Sequence, residues 1–523
     1  MQQQSVPTEN YVWSALELFE RYGDREAIVS GDRRITYRQL RTEIFTMATE
    51  LHRRGIRSGS AVAILVGTPP EAVVLQFALH LLGGRSVWIA SNTPLKFRVS
   101  YLRRADVQTF VYDARLYRDL GKEMADAVPE FDVLCFGPGG QGPDLLEAPV
   151  ADCAPISRDE PVDEPQALFQ TGGTTGDPKL VHNGQQYFDT LRVLSDAWVA
   201  AGEHQLRHLA VSGYWHVSGQ TAAMMTLFTG GLFVPQEGLT VPLVLRTIAE
   251  ERITSIMVTP PLLYELLDCP ELAETDLSSL KMVSCGGSAT APARLIQAIK
   301  VFGPVLRPVY GMSEAAFISA YPNIQYDPEH PDRLASCGLP YGDMKVEIRD
   351  PETHAKLPVG EVGEVWLTGG LMMRGYWGQP ELTRETLVDG WLRTGDLGRL
   401  DADGYIYLVD RIKDMVITGP GSSNIYCRPI EDVLAAHPQV RAAAIVGVPD
   451  DALGEKAHGF VVPVPGATVT PEELRDYCIA ELHVRWSPRE VEFVDELPLT
   501  QVGKVDKKAL RAAYLARHGA DPA

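Results

Sequence analysis

The stretch Phe169-Gln-Thr-Gly-Gly-Thr-Thr-Gly-Asp-Pro-Lys-Leu-Val181 places three glycines and three threonines between two apolar runs. Glycine tolerates the dihedrals that expose a row of backbone N–H groups, and it lets an oxyanion approach closely. Gly172, Gly173 and Gly176 supply that bare backbone. Thr171, Thr174 and Thr175 add hydroxyl donors, and Lys179 adds a positive charge. The chemistry this suits is polyphosphate binding. It is not a Walker A loop, which needs Gly-Lys followed by Ser or Thr at a helix start. Pro178 precedes the lysine and Leu180-Val181 follow it, so the pattern predicts strand–loop–strand. The plainer reading is a flexible surface hairpin.

Other constellations could act on the same nucleotide. Tyr310-Gly311-Met312-Ser313-Glu314 offers an aromatic plate for a base and a carboxylate for Mg²⁺, a hard cation that prefers oxygen. Its plainer reading is a helix start capped by Ser313. Gly286-Gly287-Ser288, after an apolar strand, would let a planar ring lie against backbone. Asp396, in Thr394-Gly395-Asp396, has two acceptor oxygens that suit a ribose diol, or it is an ordinary turn aspartate. Trp215, Met224, Met225 and Met312 could wall an apolar acid pocket beside His216, although such residues are more often core. Lys504 follows Gly503 in a loop between an apolar segment and a helix, whereas Lys507 and Lys508 read as solvated charges.

These residues need a frame. Residues 10–163 alternate strand and helix patterns: helix at Tyr11–Tyr22, strand into helix at 35–40 with Thr36 as N-cap, strand at 60–66, helix at 71–82 and strand at 83–90. That rhythm predicts a doubly wound parallel sheet in an α/β fold. The alternation continues from 186 to 306, with helices at 187–199 and 221–227 and a strand at 281–285. Residues from about 340 to 410 read as a β subdomain without a long helix. Asp410 to Asp414 reads as a linker, and the last hundred or so residues as a small α+β domain.

The 523 residues are too many for one core. A net charge of −20 disfavours nucleic acid and anionic membranes as partners. Seven scattered cysteines without CxxC spacing point to reduced thiols in a cytoplasm and to no zinc site. No apolar run approaches the ~18 residues of a spanning helix, and the polar N-terminus lacks a signal pattern.

The phosphate stretch and the Gly503-Lys504 segment resemble those of the adenylate-forming superfamily: acyl- and aryl-CoA synthetases, luciferases, peptide-synthetase adenylation domains and amide-bond synthetases. The resemblance runs from about Glu26 to Leu510. It implies an adenylate-forming domain over residues 1–410, a hinge at 411–413 containing Lys413, and a mobile domain over 414–523. It implies ATP and Mg²⁺, with Glu314 as the metal residue and Asp396 and Arg411 on the ribose. It also implies that Lys504 is catalytic and that His216 lines the acid pocket, where a core histidine is the competing reading. The implied reaction joins a hydrophobic or aryl acid to AMP with pyrophosphate release, then passes the acyl group on.

The acceptor is less constrained. CoA-dependent members usually carry Gly-Gly and a following proline after the hinge. Here the segment reads Gly419-Pro420-Gly421, and Cys427 stands at the proline position. Leu180 replaces the usual glycine after the phosphate-loop lysine. These departures are similar to stand-alone amide-bond synthetases, such as the aminocoumarin ligases of antibiotic pathways, which use an amine. Coenzyme A is the alternative acceptor, and an inactive nucleotide-binding homologue is the non-enzymatic one.

Overall fold

The computed structural model describes residues 9–91, 93–147, 156–171, 179–202, 206–321, 331–418, 423–450, 454–482, 487–500 and 504–518. The elements that carry the candidate site are, in chain order, β1 (Gln166–Gln170), β2 (Leu180–Asn183), α1 (Val217–Phe228), β3 (Met282–Cys285), β4 (Leu306–Met312) and β5 (Ala315–Ala320). They continue with β6 (Gly375–Tyr376), β7 (Trp391–Leu400), β8 (Ile406–Arg411), α2 (Cys427–Ala436) and α3 (Lys507–His518).

The large N-terminal domain is built on two sheets. Ala61-Val-Ala-Ile-Leu65 is buried along its whole length, as a parallel strand covered on both faces must be. It runs parallel to its neighbours in a seven-stranded sheet that also holds β1 and β2. A nine-stranded sheet contains β3, β4 and β5. The helix Pro70–Leu81 is buried at every residue, and it shares one core with α1 and with strands of both sheets. Thr36 caps its helix with a reciprocal capping box, as its sequence predicts.

Both sheets are mainly parallel, as the strand–helix rhythm predicts, with antiparallel strands added at their ends. β2 folds back antiparallel on β1, and β5 folds back antiparallel on β4. Both reversals fall where the sequence puts its chemistry. The Tyr310–Glu314 segment is therefore a β-hairpin, and Ser313 caps no helix. The helix expected from Thr221 starts at Val217, because His216 caps it.

A five-stranded antiparallel sheet contains β7 and β8, and its longest helix is the seven-residue Pro380–Thr386. β6 leaves that region and pairs with β2, Tyr376 opposite Val181. The chain then crosses a single helical turn, Ile412–Asp414, into Val416–Thr418, a strand of a separate C-terminal sheet. That sheet and α2, α3 and Pro471–Glu481 have cores of their own. No helix among the described residues is long and apolar enough to cross a membrane.

Candidate active site

The β1–β2 hairpin is closed at its base by the Thr171 N–H, which donates to the Lys179 carbonyl at 3.2 Å. Gly172, Gly173, Thr174, Thr175 and Gly176 lie outside the described residues. The Lys179 ammonium stands 4.7 Å from the centre of the Tyr376 ring. That geometry sets the cation against the face of the Tyr376 ring, a cation–π contact.

The second hairpin meets the β subdomain. Tyr310 is buried, and its hydroxyl donates to Asp396 Oδ2 at 2.6 Å. Arg411 Nε pairs with Asp396 Oδ1 at 3.1 Å, and β7 sets Asp396 directly opposite Arg411 on β8. Each Asp396 oxygen thus has one partner and one remaining lone pair, which suits a pair of vicinal hydroxyls. Glu314 is buried at the turn between β4 and β5 and accepts the Tyr376 hydroxyl at 2.8 Å. Among the described residues no three His, Cys, Asp or Glu side chains gather as a metal cage. A lone carboxylate beside a phosphate loop fits Mg²⁺, which takes one or two carboxylates and completes its shell with phosphates and water.

Tyr376 is absent from the residues that the sequence nominates. The signal is a pair of aromatics, Tyr376-Trp377, set between Gly375 and Gly378. Its role appears only when β6 joins β2, since Glu314 is 62 residues away in the chain.

The glycines divide by cause. A Cβ on Gly286 would stand 2.7 Å from the Val309 carbonyl, and one on Gly311 would stand 2.4 Å from the Ala316 carbonyl. Close strand packing alone demands both. Gly287 has a positive φ of 89°, and its Cβ would face Lys504, 4.0 Å from Cε. Ser288 is exposed beside it, and Met312 and Ser313 are half-buried at the hairpin tip.

Lys504 is thus inside the large domain's site. A hairpin delivers it: the Thr500 N–H donates to the Lys504 carbonyl at 2.6 Å, and Leu499 bridges Val505. Burial pushes its ammonium down to about 8, helped by the Arg411 charge and opposed by Asp396 and Glu314. Lys179, Arg411, Lys413 and Lys504 form one chain of mutually acting cations around those two carboxylates. Asp414 adds a third carboxylate, so four cations face three anions, and the excess positive charge suits a polyanion such as a nucleotide triphosphate.

His216 takes a more specific form than the sequence implies. Burial, and then the Lys504 charge, push its imidazole down to about 4, so it is neutral near pH 7. Its Nδ1 accepts the Ser218 N–H at 3.2 Å as the cap of α1, with Ser218 Oγ at 2.7 Å. An accepting Nδ1 puts the ring hydrogen on Nε2. His216 is therefore a hydrogen-bond donor there and not a free base.

Within α1, only Ser218, Ala222 and Met225 escape full burial, a spacing of four and then three that defines one face. The helix meets β5, where Ala316 and Phe317 are also half-buried. Met224 is fully buried against Gln76, which removes it from the expected pocket wall. Lys507 is also corrected: it is not solvated, but pairs with Glu431 at 2.7 Å. Lys508 is exposed, as expected.

Known proteins resemble the chain over most of its length. Residues 16–377 match the AMP-binding enzyme family, and residues 429–504 match its C-terminal domain. The medium/long-chain-fatty-acid–CoA ligase FadD8 of Mycobacterium tuberculosis is 34% identical over 95% of this chain and 88% of its own. A feruloyl-CoA synthase of Amycolatopsis sp. is 31% identical over 93% of this chain and 96% of its own. The solved amide bond synthetase McbA of Marinactinospora thermotolerans superposes with a TM-score of 0.86 at 33% identity, over 96% of this chain and 100% of its own. With a nucleotide-shaped cluster of charges in the large domain and a lysine supplied by the small one, the chain belongs to the AMP-binding, adenylate-forming family of ligases.

Proposed function

We propose that this ligase activates a hydrophobic or aryl carboxylic acid as its acyl-adenylate and then transfers the acyl group to an amine, forming an amide. In the first step a carboxylate oxygen bonds to the α-phosphorus of ATP and the bond to the pyrophosphate oxygen breaks. In the second the amine displaces AMP from the acyl carbon and loses a proton. The observation that carries this reading is Lys504 lodged beside Gly287, within the field of Asp396, Glu314 and Arg411. Acid and nucleotide are both anions, and a half-buried ammonium between them offsets their repulsion and stabilises the charge that builds in the transition state.

The remaining roles follow from position. The β1–β2 loop, with Lys179, cradles the phosphates. Asp396 and Arg411 take the ribose, the glycine turn at 286–288 and the Tyr310 hairpin flank the base, and Glu314 takes Mg²⁺. Bound there, Mg²⁺ would neutralise phosphate charge. His216 Nε2–H donates to the acid's carboxylate, and the Ser218–Ala222–Met225 face, with Met312 and Phe317, walls its apolar part. Residues 411–413, between the β-subdomain sheet and the C-terminal sheet, serve as the hinge that inserts and withdraws Lys504.

Pro420 and Cys427, where CoA-dependent members have glycine and proline, favour an amine acceptor, as does the likeness to McbA. Coenzyme A is the second reading, favoured by relatives named as CoA ligases. A pyrophosphate-release screen over carboxylic acids, followed by mass spectrometry of product with CoA and with a panel of amines, tests both. An amide product with no thioester supports the first reading; a thioester with no amide overturns it.

A further inference from the structure

One charged group of the described residues sits where the two folded parts meet and has no place in the scheme above. Asp410, the residue before Arg411 on β8, is buried. Its Oδ2 accepts the backbone N–H of Cys427 at 2.5 Å, from the first turn of α2. Its Oδ1 accepts the Arg411 N–H at 2.8 Å. The Lys507 charge also acts on it, from the first turn of α3. Lys507 is itself fixed by Glu431 of α2, whose Oε1 also accepts the Ile445 N–H at 2.8 Å.

The covalent arrangement makes this contact consequential. Asp410 precedes the Ile412–Asp414 turn and belongs to the β-subdomain sheet, whereas Cys427, Glu431 and Lys507 follow it. Lys507 is three residues beyond Lys504, and the Asp506 N–H donates to the Pro498 carbonyl at 2.7 Å, so the start of α3 and the lysine hairpin move together. Rotation about 411–413 would strip Asp410 of its C-terminal partners and return it to water. A buried ion cluster adds little net stability but is specific for one geometry. That combination suits a contact that must form in one orientation and open in another.

We infer that Asp410, Cys427 N–H, Lys507 and Glu431 form a latch across the hinge, whose task is to position Lys504 for acyl-adenylate formation and to release for acyl transfer. These are positioning residues, and the inference rests on the two-step reading above. It is particular to this chain in one respect: a proline at position 427 would have no N–H to give Asp410.

Cys427 is the first residue of α2, where proline is tolerated, and Tyr426 before it is already extended (φ −84°, ψ 122°). Cys427→Pro therefore removes the N–H without opposing the helix. It also removes the thiol, which donates to the Asp414 carbonyl at 3.1 Å, so Cys427→Ala is the control. Asp410→Asn and Lys507→Met remove the charges, and Lys507→Arg is the conservative rescue. Each variant is assayed for acyl-adenylate formation in a single turnover and, separately, for consumption of synthetic acyl-adenylate by the acceptor. Asp410→Asn, Lys507→Met and Cys427→Pro should slow the first step about tenfold or more and leave the second within about twofold, with Cys427→Ala and Lys507→Arg near wild type. Equal losses in both steps, or no loss in the first, would overturn the latch.

A chemistry-free measurement separates failure of the latch from failure of the proposed activity. Probes at Val193→Cys, on the exposed face of the large domain, and Ala512→Cys, on exposed α3, report domain orientation by energy transfer in a Cys269→Ser background. Asp410→Asn should broaden or shift that distance, and an unchanged distribution contradicts the latch even if the wild type makes no adenylate.

Discussion

The two ends of the site are built differently. In the large domain, Asp396 and Glu314 are buried and each is bound by a neighbour: Asp396 by Tyr310 and Arg411, Glu314 by Tyr376. Those bonds tie the nine-stranded sheet, the β subdomain and the β1–β2 hairpin into one block. In the C-terminal part, the key side chain is held by local backbone pairing, Thr500 with Lys504 and Leu499 with Val505. One side is preorganised and the other is delivered. The difference teaches a division of labour: nucleotide recognition belongs to groups that need not move, and charge stabilisation of one step belongs to a group that must.

Variants sharpen that contrast when they strike one side only. Lys504→Ala should lower pyrophosphate release about 10²–10³-fold, the range for losing one charge-stabilising donor, with KM for ATP little changed. Asp396→Ala leaves Tyr310 and Arg411 without their shared carboxylate and should lower kcat/KM for ATP about 100-fold in the same assay, acting on binding as well as turnover. Tyr376→Phe deletes one bond to a carboxylate, roughly 1.5 kcal/mol, and should lower kcat/KM about tenfold and raise the Mg²⁺ concentration at half-maximal rate.

The pH profile distinguishes the two sides again. Lys504 is held down to about 8 by burial, so its charge is present below that value and lost as pH rises through it. Adenylate formation should therefore decline above about pH 8, and that limb should vanish in Lys504→Ala. His216, lowered to about 4, should contribute no limb between pH 6 and 8. His216→Asn keeps a good helix cap but not the ring donor, and should raise KM for the acid only about threefold.

What the sequence shows and hides follows the same line. Gly/Thr composition, the Tyr310–Glu314 segment and Gly503-Lys504 are legible as local patterns because a few neighbouring residues carry each of them. The type of element was harder. Ser313 reads as a cap from its neighbours, but antiparallel pairing of β4 with β5 decides the matter. Packing also requires Gly286 and Gly311, against the carbonyl of Val309 on the neighbouring strand and that of Ala316 across the same hairpin, and neither demand shows in residue spacing. Tyr376 and Lys507 were missed for one reason: their partners, Glu314 and Glu431, are brought to them by tertiary folding and leave no trace in spacing. Met224 and Met225 are adjacent in sequence, and only the helix's orientation in the core separates wall from filler.

The most direct test runs both half-reactions on Lys504→Ala, following pyrophosphate release from acid and ATP, and acceptor acylation from supplied acyl-adenylate. A loss of at least about 100-fold in the first, with the second within about threefold of wild type, is the result expected of a delivered lysine that serves one step. Comparable losses in both steps, or an unimpaired first step, would contradict it.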